Sequence, residues 1–181
     1  MPIPELTNNS YYLPPGEHQC TLQEAEERFA GPNSSKQRKE VWGKFCRCLD
    51  RMLELGLQPE VLLINGSFVT GRESPGDVDG ACLISPETLG KALQDKDPSD
   101  TRAILAFAAT ANSPTQSIIR DLFGAHIMVA NSPDVLEDLS ELFRVGGHFR
   151  QLKEPDPIRD PDWVTKPQEK GILKVDLKGV G

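Results

Sequence analysis

Between two apolar runs the chain reads Gly66-Ser67-Phe68-Val69-Thr70-Gly71-Arg72-Glu73-Ser74-Pro75-Gly76-Asp77-Val78-Asp79. Asp77 and Asp79 stand two apart on an extended segment, so both side chains project from one side and can share one or two hard divalent cations. Holding two like charges together without a cation would be costly. Gly66 lets the backbone approach a ligand closely, and the amides and hydroxyl of Ser67 and its neighbours can donate to phosphate oxygens. A phosphate cradle beside paired metal-binding carboxylates is what a nucleoside triphosphate bound with magnesium requires.

Elements on both sides must hold this segment. Val61-Leu62-Leu63-Ile64-Asn65 is a short run rich in branched residues, of the kind that forms a strand buried on both faces. A second such run follows at 78–84, entered through the turn Ser74-Pro75-Gly76. A third, Ala125-His126-Ile127-Met128-Val129-Ala130, is apolar except for its histidine. Helical periodicity and capping residues predict helices over 35–55, 86–96 capped by Ser85, 100–111, 115–123, and one opened by Ser132-Pro133 and ended by Gly146-Gly147. Strands separated by helices predict an α/β fold with a small mixed sheet flanked by helices.

The ends read differently. The first 34 residues form a strap of turns and loop, with one short helix over 22–29 opened by the capping box Thr21 and Glu24. Residues 35–147 form the core of a single domain spanning 1–181, and 148–181 is an extended segment. Its stretch 148–170 is charged and proline-rich and reads as surface loop, while 172–177 alternates like a final edge strand.

Composition narrows the partners. With 20 Lys+Arg against 27 Asp+Glu, the net charge of −7 argues against a surface that coats nucleic acid. The helix over 35–55 carries Lys36, Arg38, Lys39, Lys44, Arg47 and Arg51 as a basic exterior, which reads as a solvated face or as a surface for an acidic partner or RNA. No run reaches the roughly 18 apolar residues of a membrane span. The opening Met1-Pro2-Ile3-Pro4-Glu5 lacks a signal-peptide pattern, so the expected location is the cytosol. Cys20, Cys46, Cys48 and Cys82, with His18, His126 and His148, show no zinc-ligand spacing and are expected to include only reduced thiols.

The Gly66-Ser67 pair, a short spacer and Asp77-x-Asp79 resemble the motif of the nucleotidyltransferase superfamily, which has a DNA polymerase β-like fold. The likeness is closest to the minimal nucleotidyltransferases and to a related bacterial group sharing the Leu13-Pro14-Pro15-Gly16 entry and the Lys170-Gly171-Ile172 ending. The resemblance implies that Gly66 and Ser67 hold the triphosphate, that Asp77 and Asp79 hold magnesium in a one- or two-ion site, and that a hydroxyl attacks the α-phosphate of ATP or another nucleoside triphosphate. Two departures stand out. The family adds a third carboxylate on a later strand, where this chain offers His126, a base, a weaker ligand or a structural residue. Asp121 and Asp176 are the other candidates. Thr70 stands where many members place an arginine, and Arg72 could supply that charge to the γ-phosphate.

The expected function is therefore transfer of a nucleoside monophosphate, AMP first, to a protein or small-molecule hydroxyl. The family's antitoxin-like members suggest a toxin-like protein partner. The alternative is a catalytically degenerate module of the same fold that binds a protein partner. RNA end modification ranks behind both, and a membrane role is not expected.

Overall fold

Runs with no polar face become the centre of the sheet, and runs with one become the helices around it. A computed structural model describes residues 2–7, 12–109, 113–146 and 168–177. In chain order the elements are β1 (Gly16–Cys20), α1 (Leu22–Phe29), α2 (Lys36–Glu54), β2 (Val61–Asn65), a 3-10 turn (Ser67–Val69), β3 (Val78–Leu83), α3 (Pro86–Leu93), α4 (Pro98–Phe107), α5 (Pro114–Phe123), β4 (Ala125–Ala130), α6 (Pro133–Arg144), β5 (Val145–Gly146), β6 (Gln168–Glu169) and β7 (Gly171–Asp176). The fold is α/β, with a five-stranded mixed sheet in the order β1-β7-β2-β3-β4 flanked by helices. β2 runs antiparallel to β7 and β3, whereas β1 with β7 and β3 with β4 are parallel. β5 and β6 form a separate antiparallel pair.

Alternate residues along each strand feed two cores. Leu62, Ile64, Val78, Cys82, Ile127, Leu173 and Val175 pack with Phe45, Leu49 and Met52 of α2, Ile104 of α4 and Ile119 of α5. On the opposite face Leu63, Ala81, Leu83, Ala130 and Ile172 meet Leu136 and Phe143 of α6. Burying both faces is what allows β2 and β3 to be almost wholly apolar.

One device opens four helices. Ser85-Pro86, Asp97-Pro98, Ser113-Pro114 and Ser132-Pro133 each put an oxygen at the cap and a proline at the first helical position, where its missing N–H is not needed. This moves the starts of α4 and α5 ahead of the expected residues, because Asp97 accepts from the amides of Ser99 and Asp100 and Ser113 from that of Thr115. The Thr21/Glu24 capping box forms as expected.

The ends required correction. The strap is not all loop: Gly16–Cys20 is an edge strand, and its polar sequence GEHQC gives no apolar signal because an edge strand has a partner on one side only. β7 is not an edge, since it lies between β1 and β2 with Ile172, Leu173 and Val175 buried. The Leu13-to-Gly16 entry and the Lys170-to-Ile172 ending meet there: Gly16 is in register with Gly171, whose amide donates to the Leu13 carbonyl at 3.0 Å. Of the stretch read as loop over 148–170, residues 168–169 form β6, and 148–167, with His148, lie outside the described residues.

All four cysteines are free. Burial pushes the thiols of Cys48 and Cys82 up to about 12 and those of Cys20 and Cys46 to about 11, with nearby carboxylates adding to the latter two. Among the described residues no helix is long and apolar enough to cross a membrane.

Candidate functional site

Gly66 leaves β2 with φ +80 and ψ −165, a backbone that side chains other than hydrogen rarely accept. A β-carbon there would also overlap the Asp79 carboxylate, so the group approaching Gly66 most closely is a side chain of the site itself. The chain then makes its 3-10 turn, burying Phe68 and Val69. Thr70 closes the turn: its hydroxyl donates to the Ser67 carbonyl at 2.7 Å and accepts from the Arg72 amide at 3.1 Å. The residue standing where the resemblance implies an arginine is thus a buried structural threonine. Arg72 lies exposed on the loop.

The spacer between Ser67 and Asp77 is stapled to the first turn of α2. Ser35 donates to the Glu73 carbonyl at 2.7 Å and Gln37 to that of Pro75 at 3.3 Å. Arg38 donates to the carbonyls of Phe29, Phe68, Thr70 and Arg72. Its guanidinium packs 5.0 Å from the Phe68 ring centroid and 5.6 Å from that of Phe29. Arg38 therefore does not belong to the basic exterior; it is buried, because a planar fork of donors can bridge carbonyls from several segments.

Strand register brings the polar residues into line. Asn65 is paired with Asp79 across β2 and β3, and Asp79 with His126 across β3 and β4. Register partners face the same way, so the three form a polar row at one end of the face whose other positions include Leu63, Ala81 and Met128. His126 Nδ1 lies 3.6 Å from Asp79 Oδ1. Asn65 is 7% exposed, and its Oδ1 accepts no hydrogen bond. Asp77 sits just before β3, buried, with its Oδ2 2.6 Å from Nη2 of Arg120 on α5.

The two aspartates are thus engaged differently, one by a guanidinium and the other beside an imidazole. Among the described residues no three His, Cys, Asp or Glu side chains converge as a metal-holding group. Neither other acid joins Asp79: Asp121 is exposed on α5, and Asp176 pairs with Val61, at the far end of β2 from Asn65.

The sequence puts Arg38 on a basic exterior and singles out neither Asn65 nor Arg120. Arg38 had a signal, since it shares the helical stripe of Val41, Phe45 and Met52. Asn65 had a weaker one, a lone amide closing an apolar run immediately before Gly-Ser. Nothing local marks Arg120, whose partner is 43 positions away in the chain. No curated protein and no solved structure matches the chain. One family model, described as a family of unknown function (DUF6932), matches residues 4–176, and the chain belongs to that family.

Proposed function

We propose that the protein is a metal-dependent nucleotidyltransferase, moving a nucleoside monophosphate, AMP first, from a triphosphate to a hydroxyl of a protein or small molecule. An antitoxin-like action on a partner protein is the form of this role that the resemblance favours. The observation carrying the reading is the junction of the Gly66-Ser67 turn with the Asp79 carboxylate on the adjoining strand, His126 standing in register beside it. A glycine-serine turn and an acid are thereby held together on rigid elements, which catalysis by positioning demands.

The residues fit magnesium in kind. Asp77 and Asp79 offer carboxylate oxygens, and the buried Asn65 Oδ1, in register with Asp79, accepts no hydrogen bond; all are hard donors suited to this ion. When bound, magnesium neutralises phosphate charge and lowers the pKa of the attacking hydroxyl. Asp77 would exchange its contact with Arg120 for the ion, and Asp79 would hold it from the strand. Gly66 and Ser67 would contact the triphosphate, and Arg72 would reach its γ-phosphate from the loop. His126 would steady Asp79 or take the proton of the incoming hydroxyl. A reducing, cytosolic setting accords with four free thiols.

Titrating the four nucleoside triphosphates with magnesium into the protein by calorimetry tests this reading. One of them should bind in a metal-dependent way, and the Asp77→Asn, Asp79→Asn double variant should lose that binding. An α-phosphate label should then move to an acceptor. Failure of all four nucleotides to bind would end the reading.

The second reading, a degenerate module that binds a protein partner, draws on two observations. His126 occupies the register position beside Asp79 where the resemblance implies a carboxylate. The outer face of α5 exposes Ile118 (57%) and Leu122 (67%), one turn apart. A stoichiometric partner complex that survives both aspartate substitutions would favour it.

A further inference from the structure

We propose that Asn65 is a direct oxygen ligand of the divalent cation, supplying through Oδ1 the third protein donor that β4 does not provide. This rests on the metal-dependent reading above and adds to it a residue outside the Gly-Ser and Asp-x-Asp pattern.

Three observations carry it. Asn65 is 7% exposed, yet its Oδ1 accepts no hydrogen bond. Buried polar atoms are nearly always paired, with protein, ordered water or an ion, and this oxygen has no protein partner among the described residues. Second, Asn65 is the register partner of Asp79, so the amide and the carboxylate leave neighbouring strands on the same face. Third, the other four residues of β2 are apolar, and the sheet alone gives no reason for an amide at this position.

The chemistry favours a cation over a phosphate or a sugar. An amide oxygen is a neutral, hard donor of the kind found in calcium and magnesium sites. Together with Asp77 and Asp79 it makes a three-oxygen set carrying two negative charges, which balances a divalent ion. His126 then has a different part: its Nδ1 faces Asp79 Oδ1 at 3.6 Å, as an outer residue that orients a ligating carboxylate. The absence of an acid on β4 is offset from β2, on the other side of Asp79.

Manganese serves as the probe, titrated into the full chain with and without a non-hydrolysable nucleoside triphosphate and followed by the electron paramagnetic resonance of the free ion. Asn65→Leu, close to isosteric, should keep or raise the thermal midpoint of the metal-free protein, because it removes a buried unpaired oxygen. It should also weaken manganese by at least about tenfold, since even outer-shell partners are worth that much. Asn65→Asp should bind manganese at least as tightly as the wild type. Should Asn65→Leu bind like the wild type while Asp79→Asn does not bind, the site is real and Asn65 lies outside it. A fall in the metal-free midpoint of Asn65→Leu, with manganese affinity kept in Asn65→Leu or lost in Asn65→Asp, would make Asn65 a structural residue and overturn the proposal. If neither the wild type nor Asn65→Asp binds manganese, with nucleotide or without, this inference falls together with the reading it rests on.

Discussion

The Asp79 carboxylate fills the space over Gly66 that a β-carbon would occupy. Glycine is needed there twice, for its positive φ and for this close approach. Gly66→Ala should therefore strain the backbone and push Asp79 aside, costing about 1–3 kcal/mol. Urea denaturation should show the lowered midpoint, and metal-dependent nucleotide binding should weaken beyond what the lost stability explains. An alanine variant as stable as the wild type would mean that the turn has room this geometry denies.

Arg38 is the fastener of the loop that joins the turn to the aspartates. It serves carbonyls from α1, the 3-10 turn and the spacer at once, so removing it strands several buried acceptors. Arg38→Met should cost about 3 kcal/mol or more. Arg38→Lys should recover little of that, because an ammonium is a point donor and cannot span the same carbonyls. Equilibrium denaturation of both variants decides the matter, and a lysine variant matching the wild type would show that charge alone is at work.

Much of this architecture could be read locally. Val61 to Asn65 and Ala125 to Ala130 emerge with the boundaries expected of them, since an apolar run bounded by turn residues has few other ways to bury itself. α1 follows from its capping box and α2 from its apolar stripe. β1 was hidden because an edge strand can be polar throughout, and the interior place of β7 because strand order depends on partners far apart in the chain. At the site, Gly66, Ser67, Asp77 and Asp79 were visible as a motif, and the resemblance put His126 where an acid is expected; its register with Asp79 depends on the pairing of β3 with β4 and was not visible. The contacts of Arg38 and Arg120 were not visible. Both depend on which surfaces meet after the sheet has formed, information that no window along the chain contains.

Glu17 on β1 reaches across to β7 and α6. Burial alone would raise its pKa, but the bonds from Lys174 (2.6 Å) and the Ser140 hydroxyl, with the charges of Lys174 and Arg144, outweigh this and hold it below the ordinary glutamate range. A lowered folded-state value means that the stabilisation is complete above the unfolded value and is lost as pH falls through the folded one. Glu17→Gln should thus cost on the order of 1 kcal/mol at neutral pH, given that the ion pair is partly solvated. The gap to the wild type should close as the pH drops below the ordinary glutamate pKa of about 4.3. Denaturation curves across that range provide the check, and a gap unchanged by acid would assign the loss to packing.

Arg120 links stability to the proposed metal. Its guanidinium, on a side chain 49% exposed, lies 2.6 Å from the buried Asp77 carboxylate and occupies the kind of place a metal ion would claim. Arg120→Gln removes that positive charge and should destabilise the metal-free protein by about 1–2 kcal/mol, below the value for a fully buried pair because water reaches the arginine. Magnesium competes with the guanidinium for the Asp77 carboxylate in the wild type but not in the variant. Added magnesium should therefore raise the thermal midpoint more in Arg120→Gln than in the wild type, both measured against chelator. Equal shifts in the two proteins would separate Asp77 from the metal and leave it as a structural partner of α5.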